Sequence, residues 1–187
     1  MILIKKKNFG GDNKVYLKIL GCILILIGSS LIGFYLGESL KKRVSQLKEI
    51  EQALYQLQSE IIYTHSALPE TLLNISRKCT KPISCIFSEV SNLLYENKVD
   101  SVHDGFEIII KKNKENLNLK QHDIDILMDL SKSLGESDIE GQRNIMMLSI
   151  KNIRSQIDDA ELAMKNNIKM YRYLGFSFGA IVVIMIL

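Results

Sequence analysis

Three cysteines in 187 residues cannot build a disulfide framework. Cys22 lies inside an apolar run, and Cys79 and Cys85 stand six apart, wider than the gaps of about two to four residues in zinc knuckles. They read as structural thiols of a reducing compartment. Proline is scarcer still. Only Pro69 and Pro82 interrupt the chain, and no run of alternating β-branched residues marks a strand, so helical periodicity dominates.

Catalytic patterns are missing too. There is no G-x-x-x-x-G-K-[ST] loop: Gly28 and Gly33 have the glycine spacing, but Phe34 and Tyr35 follow within an apolar stretch. No G-x-S-x-G, H-E-x-x-H or EF-hand loop occurs. The histidines, His65, His103 and His122, are scattered. His122 adjoins Asp123 and Asp125, yet neighbours on a helix point away from one another, and these read as solvated residues of a helix start. Asp158 and Asp159 with Glu161 read as an exposed face. The expectation is no catalytic, cofactor or metal site, and no enzyme.

A basic excess is absent from the body of the chain. Five of the 24 basic residues (Lys5, Lys6, Lys7, Lys14 and Lys18) fall in the first eighteen positions against one acid, Asp12, which leaves the rest nearly neutral. A nucleic-acid partner would require that excess on the folded domain. Here it sits beside an apolar segment, where phospholipid headgroups are the natural partner.

What the sequence does have is two long apolar runs. Residues 19–37, ILGCILILIGSSLIGFYLG, carry no charge, and a bilayer core of about 30 Å needs roughly 20 helical residues. The run continues past Ser29 and Ser30 without an A-x-A-like exit, which argues against a cleaved signal. The second run, residues 173–187, covers about 22 Å at the helical rise, with Lys169 and Arg172 on its near side. Local thinning of the bilayer accommodates so short a span. Each run holds a G-x-x-x-G, Gly33 with Gly37 and Gly175 with Gly179, whose groove lets spans pack on one another or on partners, self-association included.

Between them, Leu40, Val44, Leu47, Ile50, Leu54, Leu57 and Ile61 step by three and four, continuing the first span as a long helix. Pro69 starts a second helix with Leu72, Ile75 and Cys79 on its stripe. Pro82 opens a third, with Ile83, Ile86, Phe87, Val90 and Leu94. Val102, Phe106, Ile109 and Ile110 mark a fourth, and Ile124, Leu127, Leu130 and Leu134 a fifth. Gly135 then supplies a left-handed helix end, and Ser137 with Glu140 has capping-box spacing, so Leu134-Gly135-Glu136-Ser137-Asp138 predicts a tight helical hairpin. From Ile139 a helix of nearly fifty residues runs into the second span through Ile145, Ser149, Ile153, Gln156, Ala160, Met164, Ile168 and Tyr171. The predicted fold is all-α: an elongated bundle of about six helices flanked by N- and C-terminal transmembrane helices. Its parts are a basic tail (1–18), a span (19–37), the helical domain (38–172) and a second span (173–187). Asp123, Asp125, Asp129, Glu136, Asp138 and Glu140 gather around the hairpin as an acidic tip suited to a basic partner surface.

Three stretches together resemble one family. They are Leu54, Leu57, Glu60, Ile61 and Tyr63 with Leu68-Pro69; Leu134-Gly135-Glu136-Ser137-Asp138 with Gly141-Gln142; and Lys169-x-Tyr171-Arg172-x-Leu174-Gly175-Phe176. In this order and at this length, they are similar to stage III sporulation protein AB of endospore-forming bacteria, over about residues 17 to 187. There are departures. Family members typically begin close to the first span, whereas this chain has a further lysine-rich stretch. The family's usual Thr-Pro-Leu stands here as Ser66-Ala67-Leu68 followed by Pro69.

The resemblance implies a platform subunit, like the F-type proteins of type II secretion and type IV pilus machines, in the channel complex between mother cell and forespore. It further implies a place on the mother-cell side of the outer forespore membrane. The implied partners are a secretion-type ATPase and other membrane subunits of that channel. The charges agree on orientation, by a narrow margin. Seven basic residues flank the spans on the domain side (Lys41, Lys42, Arg43, Lys48, Lys165, Lys169 and Arg172) against five on the other, which favours a cytoplasmic domain. The rival reading is a membrane-bound signalling or regulatory adaptor.

Overall fold

The computed structural model describes residues 9–61, 66–134 and 139–186. Among them the chain is all-helical, as the periodicity predicts: α1 (Phe9–Ser59), α2 (Leu68–Ser76), α3 (Ile83–Tyr95), α4 (Val102–Lys112), α5 (Gln121–Ser133) and α6 (Ile139–Ile186), with a 3-10 turn at Lys114–Asn116. It divides into two compact units. One is Leu40–Ala163; the other joins α1 up to Ser39 with α6 from Met164.

The helix starts follow local chemistry. Pro69 sits in the first turn of α2, where its missing N–H has no partner to lose. Pro82 caps α3. Ser101 caps α4, its Oγ accepting the Asp104 N–H at 3.1 Å. α3 ends in a Schellman turn: Lys98 N–H reaches the Leu93 carbonyl at 2.9 Å, and Asn97 N–H reaches Leu94 at 3.2 Å. Asn97 takes φ 50°, the left-handed conformation that asparagine tolerates better than other side-chain-bearing residues.

Two boundaries differ from the sequence reading. α1 begins at Phe9, inside the stretch read as a tail, because extending an existing helix by a residue avoids the cost of nucleating one. Cys79 lies beyond the end of α2, half-buried in the turn that follows.

The core of the Leu40–Ala163 unit follows the predicted stripes, but Leu94 of α3 and Ile124 of α5 are half-buried and Ile126 takes a core place that no stripe assigned. Val44, Leu47, Ile50, Leu54 and Leu57 of α1 are buried, with Ala53 beside them. Buried in the same unit are Leu72 and Ile75 of α2, Ile83, Ile86, Phe87 and Val90 of α3, and Ile126, Leu127 and Leu130 of α5. α2 packs on α3, α3 on α4 and α4 on α5. Phe87 and Phe106 join α3 to α4 edge-to-face, with centroids 5.7 Å apart. Each fully buried aliphatic or aromatic side chain contributes about 1.5–3 kcal/mol over exposure. On α6 the buried line is Met146, Ser149, Ile150, Ile153, Ile157 and Ala160, one position later at two points than Ile145 and Gln156 suggested.

The other unit turns its apolar surface outward. α1 and α6 each hold a stretch long and apolar enough to cross a membrane, and only 18% and 6% of those stretches is buried. Leu24, Ile32, Phe178 and Ile184 are all exposed. A soluble core helix would hide such side chains, whereas a helix facing hydrocarbon leaves them outermost.

Candidate functional site

Asp123, placed by its sequence in an acidic tip, is fully buried. Its carboxylate takes Arg43 in fork geometry: Nε donates to Oδ2 and Nη2 to Oδ1, both at 2.8 Å. Oδ2 also accepts the Lys120 N–H at 2.8 Å, which fixes the first turn of α5. Arg43 Nη2 donates further to Gln156 Oε1 on α6 at 3.2 Å. Two charges removed from water are tolerable only when so fully hydrogen-bonded. The acid therefore ties α5 to α1 and α6, and is not available to a partner. Three residues on, Gln46 accepts the Asn118 N–H at 2.8 Å and donates to the Asn116 carbonyl at 3.3 Å. Arg43 and Gln46 form a polar clamp holding the segment that leads into α5.

The remaining tip residues are dispersed. Asp125 is exposed and accepts from Gln121 at 2.8 Å, and Asp129 is exposed near Lys132 at 3.4 Å. Glu136 and Asp138 lie outside the described residues, as do Gly135 and Ser137 of the predicted hairpin. Of that hairpin's flanks, Leu134 is buried at the end of α5, Glu140 is exposed in the first turn of α6, and Gln142 is half-buried.

Within the apolar unit, the two helices approach backbone to backbone. A Cβ at Gly33 would stand 2.6 Å from the Tyr171 carbonyl oxygen and 3.3 Å from Gly175 Cα. A Cβ at Gly175 would stand 2.8 Å from the Ser29 carbonyl oxygen. Backbone cannot swing aside, so both positions require glycine at this approach. One turn further, Gly37 faces Ile168, whose Cγ1 lies 3.4 Å from where a Cβ would be, and Gly179 is buried. The register (Ser29 to Gly175, Gly33 to Tyr171, Gly37 to Ile168) makes the pair antiparallel.

Groups that carry chemistry elsewhere have structural attachments. His103 Nδ1 lies 3.0 Å from Ser131 Oγ, joining α4 to α5, while the Ser131 hydroxyl donates to the Met128 carbonyl at 2.7 Å and is itself buried. Among the described residues no cluster of three or more His, Cys, Asp or Glu could hold a metal ion. The cysteines are free. Burial, with the Glu49 carboxylate nearby, pushes the Cys79 thiol up to about 11. A hydrogen bond from Lys111 holds the Glu107 carboxyl below its ordinary range.

One surface feature escaped the sequence reading. A groove of about 490 Å³ runs between the late part of α1 and the early part of α6, bounded by Tyr55, Gln58 and Ser59 on one side and by Arg143, Met147, Ile150, Lys151 and Arg154 on the other. The signal was present: Arg143, Met147, Lys151 and Arg154 recur at helical spacing beside the buried line of α6.

The sequence profile described as stage III sporulation protein AB matches residues 18–187. The chain is 29% identical over 171 residues to stage III sporulation protein AB of Bacillus subtilis (strain 168), covering 91% of this chain and 99% of that one. A solved structure of a stage III sporulation protein AB superposes with a TM-score of 0.62 at 28% identity, covering 66% of this chain and 97% of that structure.

Proposed function

Since this chain belongs to the stage III sporulation protein AB family, a family of sporulation proteins, we propose that it is a non-enzymatic membrane platform subunit of the channel complex between mother cell and forespore. In this reading the paired apolar helices anchor the chain in the outer forespore membrane, on its mother-cell side. The Leu40–Ala163 unit faces the cytoplasm and docks a secretion-type ATPase.

The observation that carries the reading is a division of labour along the chain. The two apolar stretches direct their side chains outward, and the intervening unit has a closed core whose polar centre, Arg43 with Asp123 and Gln156, is consumed in holding helices together. Such a chain offers a fixed surface beside a membrane, which is what a platform must supply. The signalling-adaptor alternative would call for a ligand-responsive element, and a buried ion pair in bidentate geometry favours one fixed arrangement instead.

The test is purification of the full-length chain from sporulating cells in mild detergent, with identification of the bound proteins. The platform reading expects a secretion-type ATPase and small membrane subunits in stoichiometric amounts. A preparation that repeatedly lacks any ATPase removes the docking role.

A further inference from the structure

The groove between α1 and α6 combines three properties that together specify an occupant. Its α6 wall is cationic: Arg143, Lys151 and Arg154 follow one another along the helix, all exposed. None of the three has a carboxylate partner among the described residues, whereas Arg43, Lys48, Lys111 and Lys112 of the same unit are each paired. Its floor is apolar, with Ile150 buried and Met147 exposed between the cations. Its α1 wall is uncharged, and presents Tyr55, 47% exposed, beside Gln58.

We propose that this groove docks an acidic amphipathic helix of a partner protein. A channel between two adjacent helices is the seat in which a third helix packs. From Arg143 to Arg154 it extends about 16 Å along α6, or three turns. A helix laid there sets aliphatic side chains at intervals of three and four residues onto Met147, Ile150 and Tyr55. Acids on its flank meet Arg143, Lys151 and Arg154. Arginine suits this role because its fork binds a carboxylate at two points. Methionine and tyrosine supply the adaptable apolar contact found at protein-binding surfaces. An elongated groove between two helices fits a rod-shaped partner better than a flat array of lipid headgroups. The inference goes beyond the platform reading and is independent of it: the groove takes such a helix whether or not an ATPase contributes it.

The experiment uses the full-length chain in nanodiscs of zwitterionic phosphatidylcholine. The probe is a fluorescein-labelled amphipathic helix of leucine, alanine and glutamate, about four turns long, followed by anisotropy. Saturable binding is expected, weakening with salt and falling at least about tenfold in the variant R143E/K151E/R154E. That variant should instead bind the same peptide with lysine in place of glutamate. Because the three residues are exposed, an unchanged helical circular-dichroism spectrum is expected. Met147→Ser gives a second variant, expected to weaken the probe without changing any charge. The proposal is overturned by absent saturable binding, by equal binding of a sequence-scrambled acidic peptide, or by binding indifferent to both variants. Displacement of the probe by vesicles of phosphatidylglycerol would assign the groove to anionic lipid and also overturn it.

Discussion

At the scale of single residues, two side chains changed meaning between sequence and structure, and both are charged. Arg43 reads as one of several cations flanking a membrane span, and Asp123 as one of several acids at a helix start. Each is ordinary by composition, and only their pairing across 80 positions makes them core residues. Sequence periodicity reports apolar stripes and is silent about a buried ion pair. Removing one partner leaves the other charge buried, so Arg43→Ala or Asp123→Ala should each cost about 3–5 kcal/mol. The double replacement Arg43→Met with Asp123→Leu should recover most of that loss. Chemical denaturation of the purified chain followed by circular dichroism measures both. If either single variant unfolds like the parent, the clamp is not what holds α5.

Cys79 gives a second residue-level prediction. Its thiol is pushed up to about 11 by burial and by Glu49, so the reactive thiolate is scarce near neutral pH. Glu49→Gln removes a negative charge that opposes ionisation, and the apparent pKa should fall. Maleimide labelling of Cys79 at about pH 8 should then run several-fold faster, read by mass spectrometry of the peptide. No acceleration would mean that burial alone controls the thiol.

Among the elements, helix identity was legible and helix attachment was not. The stripes of α1, α3 and α4 and the length of α6 follow from three-and-four spacing, Pro69 and Pro82 mark two starts correctly, and the α5 stripe differs in burying Ile126 where Ile124 was expected. The Ser101 cap and the Schellman turn at Asn97 rest on one residue each, below what periodicity detects. Asn97→Gly should raise stability by about 0.5–1 kcal/mol, since glycine occupies the left-handed region freely. Asn97→Val should lower it by about 1–2 kcal/mol for the opposite reason. Thermal melts distinguish the two signs.

The glycine motifs illustrate the same limit. Sequence spacing marks Gly33, Gly37, Gly175 and Gly179 as small positions, but only the fold places Gly33 against Tyr171 and Gly175. Paired cysteines introduced as Gly37→Cys and Ile168→Cys, in a Cys22→Ser background, should form a disulfide readily across this contact. Adding Gly33→Leu should separate the helices and cut that yield severalfold, scored by the mobility of the oxidised band. An unchanged yield would mean that this approach does not govern the pairing.

For the whole molecule, the account rests on one division: a unit that closes its core on itself, and paired helices that expose theirs. The second feature supports membrane anchoring, and the uncharged run 19–37 points the same way. Orientation is a separate question, on which the sequence offers a small difference in lysines and arginines. Asp100→Cys, exposed in a connecting segment, is a better topology probe than Cys79 because its thiol is not suppressed by burial and a neighbouring carboxylate. In a Cys-free background it should stay unlabelled by an impermeant maleimide in intact cells and react after lysis.

Alkaline carbonate extraction of membranes from cells producing the full-length chain tests the central claim most directly. Integral spans resist such a wash, while peripheral and soluble proteins are released. The chain should remain in the pellet after high-speed centrifugation and enter solution only with detergent. Recovery of most of it in the carbonate supernatant would contradict the membrane anchoring on which the proposed platform role depends.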